Sequence, residues 1–239
     1  MRLASRGLAS AWVLPDKADM ELVLDNLGCR RGGHMVFHGL SFRLAAGQAA
    51  QVRGPNGVGK SSLLRVLAGL VPLAAGEVRL GGVSLPSDRS AFQERVAYVG
   101  HLDAIKPALT VRQNLSAWAA LFGAEPALVD TALAAFSLDP LADRPAAQCS
   151  AGQKRRLGLA RLVVMDRPLW LLDEPTVSLD TVSTAVVAEL VRTHLAGGGL
   201  VLIATHIDLG LGDCPVLEMQ PPVPNAAAAE DAFLAGDWT

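Results

Sequence analysis

The chain has 239 residues, 51% of them hydrophobic, with 21 Lys and Arg against 23 Asp and Glu, so its formal net charge is −2. That length suits one substantial α/β core with a small insert, and the balanced charge gives no general attraction to nucleic acid or to an acidic bilayer. Cys29, Cys149 and Cys214 are far apart and form no CxxC pair, so nothing suggests a disulfide framework or a zinc cluster, and a reducing setting fits. No run approaches the roughly 18–20 apolar residues that a membrane-spanning helix needs.

In residues 1–15, Arg2 and Arg6 precede apolar residues, a loose likeness to a leader that lacks a good small-residue cleavage site. Residues 1–19 are therefore read as an extension, expected to be disordered, and the domain is taken to span 20–213. Residues 21–27 and 35–44 read as strands around a Gly32-Gly33 turn, forming an antiparallel β-subdomain. Residues 48–53 predict a strand, 54–59 a glycine-rich loop, and 60–70 a helix closed by Gly69 and Pro72. Strands follow at 77–80 and 95–99. The pattern then turns helical at 110–122 and 126–136, rich in Ala and Leu, which predicts an inserted helical subdomain over about 103–148. A helix to about 165, a buried strand at 169–173, a helix at 180–195 and a strand at 200–205 complete an alternation that implies a largely parallel sheet. Residues 214–239 carry little periodic signal and are read as a tail. The fold class is thus α/β.

Gly54-Pro55-Asn56-Gly57-Val58-Gly59-Lys60-Ser61, with Ser62 behind it, fits GxxxxGK[ST] between a strand and a helix. Such a loop turns backbone N–H groups toward phosphates, and the helix that follows adds its positive end. Lys60 is placed to reach the β and γ phosphates and Ser61 to offer a hydroxyl to magnesium, so ATP and Mg2+ are the expected ligands. Leu169 to Leu172 lead into Asp173 and Glu174, two carboxylates at the edge where parallel sheets bind ligands. Asp173 suits magnesium; Glu174 suits the attacking water of a phosphoryl transfer.

Between these segments lies Cys149-Ser150-Ala151-Gly152-Gln153, followed by Lys154-Arg155-Arg156 and an apolar helix. It resembles the LSGGQ signature of ATP-binding-cassette proteins, with Cys and Ala at two positions. The P-loop NTPase fold follows from the resemblance, which covers roughly residues 21–210. It implies that Ser150, Ala151, Gly152 and Gln153 contact ATP held by a second copy of the chain. It further implies that Asp180 belongs to the loop crossing that dimer, and that His206 approaches the γ-phosphate.

Two positions depart from the cassette pattern. Arg31 stands where an adenine-stacking aromatic is usual, and its guanidinium can stack instead. His101 stands where a glutamine normally faces the catalytic centre, implying a contact with magnesium through water. Tyr98-Val99-Gly100-His101, Ile105-Lys106, Leu109-Thr110 and the run 149–156 together resemble the heme exporter ATPases of cytochrome c maturation, the CcmA family. That likeness implies a homodimer of ATPase subunits, peripheral at the cytoplasmic face of a bacterial inner membrane, paired with a CcmB-like integral membrane permease and other maturation proteins. ATP would drive heme export or release of the heme-loaded chaperone. The nearest alternative, which the motifs do not exclude, is an exporter ATPase for another small molecule or lipid. A soluble mechanical cassette is disfavoured, because such chains carry two cassettes or a long coiled-coil insert. No CxxCH is present, and His34, His38 and His194 read as surface or hairpin residues. Trp118, Leu121 and Phe122 are candidate contacts for the permease.

Overall fold

The computed structural model describes residues 20–207 and 209–221. The expected extension over 1–19 and the end of the tail lie outside the described residues. In chain order the elements are β1 (Glu21–Arg31), β2 (His34–Ala45), β3 (Ala49–Arg53), α1 (Lys60–Leu67), β4 (Ala75–Leu80), β5 (Val83–Ser84), α2 (Arg89–Gln93) and β6 (Val96–Val99). They continue with α3 (Val111–Phe122), α4 (Ala127–Ala135), α5 (Ala151–Met165), β7 (Leu169–Asp173), α6 (Thr181–Ala196), β8 (Leu200–Ala204) and β9 (Val216–Glu218).

A parallel sheet in the order β6-β7-β8-β3-β9 forms the centre. Every residue of β7 and β8 is buried, as expected for strands covered on both faces. Their side chains alternate between two apolar layers. Trp170, Leu172, Val201 and Ile203 face α5 and α6, whereas Leu169, Leu171, Leu200 and Leu202 face α1 and the second sheet. That second sheet is antiparallel, in the order β2-β1-β4-β5. The α/β class with one parallel and one antiparallel sheet is therefore as expected from sequence.

The helical insert leaves and rejoins the core at one point. Thr110 bridges Pro145, and the Val111 N–H donates to the Arg144 carbonyl at 3.0 Å. Thr110 caps α3 in a reciprocal capping box with Gln113, and Gly123, with φ 66°, ends that helix. Among the three candidate docking residues, Leu121 is 71% exposed. Trp118 and Phe122 stack on each other at 5.6 Å, lie against the core, and carry Arg161 and Arg167 over their faces at 5.2 and 4.9 Å.

Two expectations change. His194 is not at the surface: it is 1% exposed, stacks on Trp170 at 3.8 Å and pairs its Nε2 with the Pro168 carbonyl at 3.1 Å. A histidine in the last turn of a helix reads as a solvent-facing cation for the helix dipole, but here the indole supplies a flat apolar seat. Residues beyond 213, read as a tail, also contribute to the core through β9. This strand pairs with β3, its Leu217 and the Met219 that follows it are 4% and 2% exposed, and the Met219 N–H donates to the Arg53 carbonyl at 2.8 Å, one residue before the glycine-rich loop. A three-residue strand with one inward side chain is too short to show a period.

β9 therefore braces the loop from below. Leu217→Ala should cost about 2–4 kcal/mol, the usual range for deleting a buried leucine side chain, measured as a lower midpoint in urea with an unchanged slope. A loss below about 0.5 kcal/mol would show that β9 is an ornament on the sheet edge.

Candidate active site

The glycine-rich loop follows β3 directly, and Gly54, Gly57 and Gly59 all have positive φ, a conformation L side chains rarely adopt. Val58 is 5% exposed and anchors the loop in the core, while Pro55, Asn56 and Gly57 are exposed. Gly59 caps α1 in the left-handed region, so the first N–H groups of that helix open toward the loop. Lys60 bends back across it, its Nζ donating to the Gly54 carbonyl at 2.8 Å and the Pro55 carbonyl at 3.1 Å. Ser62, next to Ser61 at the start of α1, is 8% exposed.

At the carboxyl end of β7, Asp173 is 3% exposed. It accepts from the Ser61 hydroxyl at 3.0 Å and, on its other oxygen, from the Tyr98 hydroxyl at 3.4 Å. Burial raises the Tyr98 pKa, only partly offset by its hydrogen bond with Arg65, so Tyr98 remains a neutral donor at neutral pH. A buried carboxylate beside a serine hydroxyl is a hard, oxygen-only donor set suited to magnesium. Glu174 has φ 47°, and its N–H donates to the Ala204 carbonyl at 2.8 Å. That turn takes its side chain off the strand line, and Glu174 Oε1 comes within 3.7 Å of His206 Nε2.

Ser150 caps α5 in a second capping box. Its hydroxyl accepts from the Gln153 N–H at 3.2 Å, and Gln153 Oε1 accepts from the Ser150 N–H at 2.9 Å. Ser150 and Ala151 are exposed at this helix start. At Gly152 a Cβ would stand 3.1 Å from the Ser178 carbonyl oxygen, so a glycine there lets the chain's own 174–180 loop pack against α5. Asp180 caps α6, accepting from the Ser183 N–H at 2.7 Å, and hydrogen bonds from the Ser183 side chain first and its N–H second hold its pKa below the ordinary carboxylate value.

Two cavities open among these residues, and Glu174 lines the second of them. One of about 300 Å³ is lined by Gly54, Lys60, Thr205 and His206, and the other of about 330 Å³ by His101, Ala151, Arg155, Glu174 and Ser178. His101 and Glu174 thus share one cavity, with the start of α5 as its third wall, while His206 belongs to the loop side. Arg31 is exposed at the β1–β2 turn. The same hairpin meets the loop through Val36, whose Cγ1 occupies the space a side chain at Gly59 would need.

Sequence reading did not single out Tyr98, Arg155 or Arg161 as site residues. Arg155 is 3% exposed and joins the end of β7 to the 100–103 loop. Arg161 is 4% exposed and donates to the Tyr98 and Asp103 carbonyls at 2.9 and 3.1 Å.

Comparison with known proteins agrees with this geometry. The ABC transporter family matches residues 37–177. The chain is 54% identical over 218 residues to the cytochrome c biogenesis ATP-binding export protein CcmA of Rhodobacter capsulatus, covering 90% of this chain and 96% of the relative. It is 53% identical over 202 residues to the protein of the same name from Cereibacter sphaeroides, covering 84% and 90%. A solved ATP-binding subunit of an ABC transporter superposes with a TM-score of 0.75 at 21% identity, over 90% of this chain and 94% of that one, which fixes the fold. Through the family match over residues 37–177 and relatives 53% and 54% identical over most of its length, the chain belongs to the ABC transporter ATP-binding proteins and, within them, to the cytochrome c biogenesis CcmA family.

Proposed function

We propose that the chain is the ATP-hydrolysing subunit of the cytochrome c biogenesis exporter, working as a homodimer on a CcmB-like permease at the cytoplasmic face of the inner membrane, with heme export or release of the heme-loaded chaperone as its output. The observation that carries the enzymatic part is the convergence of Lys60, Ser61, Asp173 and Glu174 at one edge of the parallel sheet. The family relationship carries the biological part.

Phosphoryl transfer asks a protein mainly for positioning and charge neutralisation. The loop N–H groups, the start of α1 and the Lys60 ammonium meet the negative charge of the β and γ phosphates. Glu174 accepts a hydrogen bond from the water that attacks the γ-phosphorus as the bond to the β–γ bridging oxygen breaks, leaving ADP and phosphate. His206 stands beside Glu174 and contacts the γ-phosphate. Ser61 and Asp173 would hold magnesium, which when bound neutralises charge on the phosphate oxygens. His101 faces the same water from the neighbouring loop. The Ser150-Ala151-Gly152-Gln153 segment, exposed at Ser150 and Ala151, meets the triphosphate of a second copy, with Asp180 on the loop that crosses between the copies. Arg31 lies under the adenine. The insert over residues 103–148 is the surface that meets the permease, with Leu121 its exposed apolar contact.

Glu174→Gln should lower kcat for ATP at least about a hundredfold while leaving ATP affinity intact, since it removes charge only from the water-orienting group. Hydrolysis at the parent rate would remove Glu174 from this role. Lys60→Ala should instead weaken nucleotide binding itself by roughly ten- to a hundredfold, the worth of a charge-assisted contact, as read by titration with a fluorescent ATP analogue. Undiminished affinity would mean that the loop is not the phosphate cradle. His101→Gln, which supplies a hydrogen-bond acceptor of similar reach, should retain most turnover, and His101→Ala should reduce kcat more than it raises KM. Identical kinetics in all three proteins would make His101 a bystander.

A further inference from the structure

Helix α5 carries Arg155, Gly158 and Arg161 at three-residue intervals, on one face. The Arg155 guanidinium is buried and shares its donors among five acceptors. Nη1 donates to the Gly100 carbonyl at 2.8 Å and to Asp103 Oδ1 at 3.0 Å. Nη2 donates to the Glu174 carbonyl at 2.6 Å and the Asp173 carbonyl at 3.3 Å, and Nε to the Pro175 carbonyl at 3.1 Å. Arg161 takes the Asp103 carbonyl from the other side at 3.1 Å. Between the two arginines a Cβ at position 158 would stand 3.0 Å from the Asp103 Cβ, so glycine there seats the loop directly on the helix.

A buried cation needs one counter-charge, and Asp103 supplies it. That pairing alone does not explain why the other four acceptors are carbonyls from the two segments flanking the cavity that His101 and Glu174 share. The planar fork with its fixed set of donors is what allows one side chain to reach all of them. Glu174 is also held in left-handed backbone, a conformation that persists only where the surroundings over-determine it. Three consecutive carbonyls, at 173, 174 and 175, are fixed by this one guanidinium.

We propose that Arg155 is a positioning residue for hydrolysis: it holds the backbone of Glu174 in its turn and, through Asp103, locks the His101 loop and the carboxylate to the signature helix as one unit. This rests on Glu174 being the water-orienting group. A movement of α5 or of the insert attached to residue 103 is then delivered to the carboxylate directly.

The test uses the full chain, with kcat counted per ATP-binding site, KM for ATP and melting temperature measured for Arg155→Lys, Asp103→Asn, Glu174→Gln and each of the first two combined with Glu174→Gln. Arg155→Lys keeps the charge and loses the fork, so kcat should fall about tenfold or more with KM changed less than about threefold. In the Glu174→Gln background the same replacement should change the residual rate by less than about twofold, because the group it positions is already disabled. An unchanged kcat per site with only a lower melting temperature would reduce Arg155 to a structural staple and overturn the proposal. An equal loss in both backgrounds would overturn it too, by showing that Arg155 acts elsewhere. If Arg155→Lys fails to fold, Asp103→Asn decides: a KM-neutral loss of kcat that disappears in the Glu174→Gln background supports the proposal, and any other result overturns it. Parent-rate hydrolysis by Glu174→Gln alone would instead mark the failure of the underlying assignment.

Discussion

A 3.0 Å hydrogen bond from the Ser61 hydroxyl to the Asp173 carboxylate spans 112 residues of sequence and joins the start of α1 to the end of β7. Its own worth is of the order of 1–3 kcal/mol. What it records is more demanding. A polyanion is held strongly only by groups fixed before it arrives, so the helix start, the glycine loop and the carboxylates must share one rigid edge. The sheet provides that edge because β7 and β8 are buried on both faces and pair along their whole length. β3 runs beside β8 and delivers the loop to the same end, with β9 bracing it from the outer side.

The same burial makes charge expensive, and the chain meets that cost with dense hydrogen bonding. Arg161 is pulled down to about 10 by burial, with Arg155 beside it adding to the effect, and it stays charged at neutral pH. Arg155 donates to Gly100, to Asp103 and to the carbonyls of residues 173–175, and Arg161 donates to the carbonyls of Asp103 and of Tyr98 in β6, so both reach the loop that begins the helical insert. The polar network is therefore placed where the insert joins the core, and it ties the two together at the active-site edge rather than at their far surfaces. Trp118 and Phe122, stacked beneath Arg161 and Arg167, carry this tie into the insert through apolar contact.

Much of this was legible in the sequence because its chemistry is contiguous. A phosphate loop needs its glycines, lysine and serine in one stretch, and two carboxylates at the end of an apolar run declare a strand edge. The capping box at Ser150 is likewise a four-residue event. The less visible features depend on partners brought together by folding. Arg155, Gly158 and Arg161 sit at plain helical spacing, but nothing local says that they face Asp103 and the end of β7. His194 looked solvated because its seat, Trp170, comes from another element. Tyr98 lies in a strand of ordinary composition, and only the adjacency of β6 and β7 aims its hydroxyl at Asp173. β9 was missed because a three-residue edge strand carries too little pattern to stand out from a tail.

Within one copy, the exposed start of α5 shares a cavity wall with Glu174, but its Ser150 and Ala151 face outward. Hydrolysis as proposed therefore needs a second copy to bring its α5 start onto the glycine-rich loop and close the site. The most direct measurement is the mass of the Glu174→Gln protein in solution by sedimentation, with saturating ATP and with ADP. A dimer that forms with ATP and separates with ADP is the predicted result, and a protein that stays monomeric with ATP bound at full occupancy would contradict the shared site.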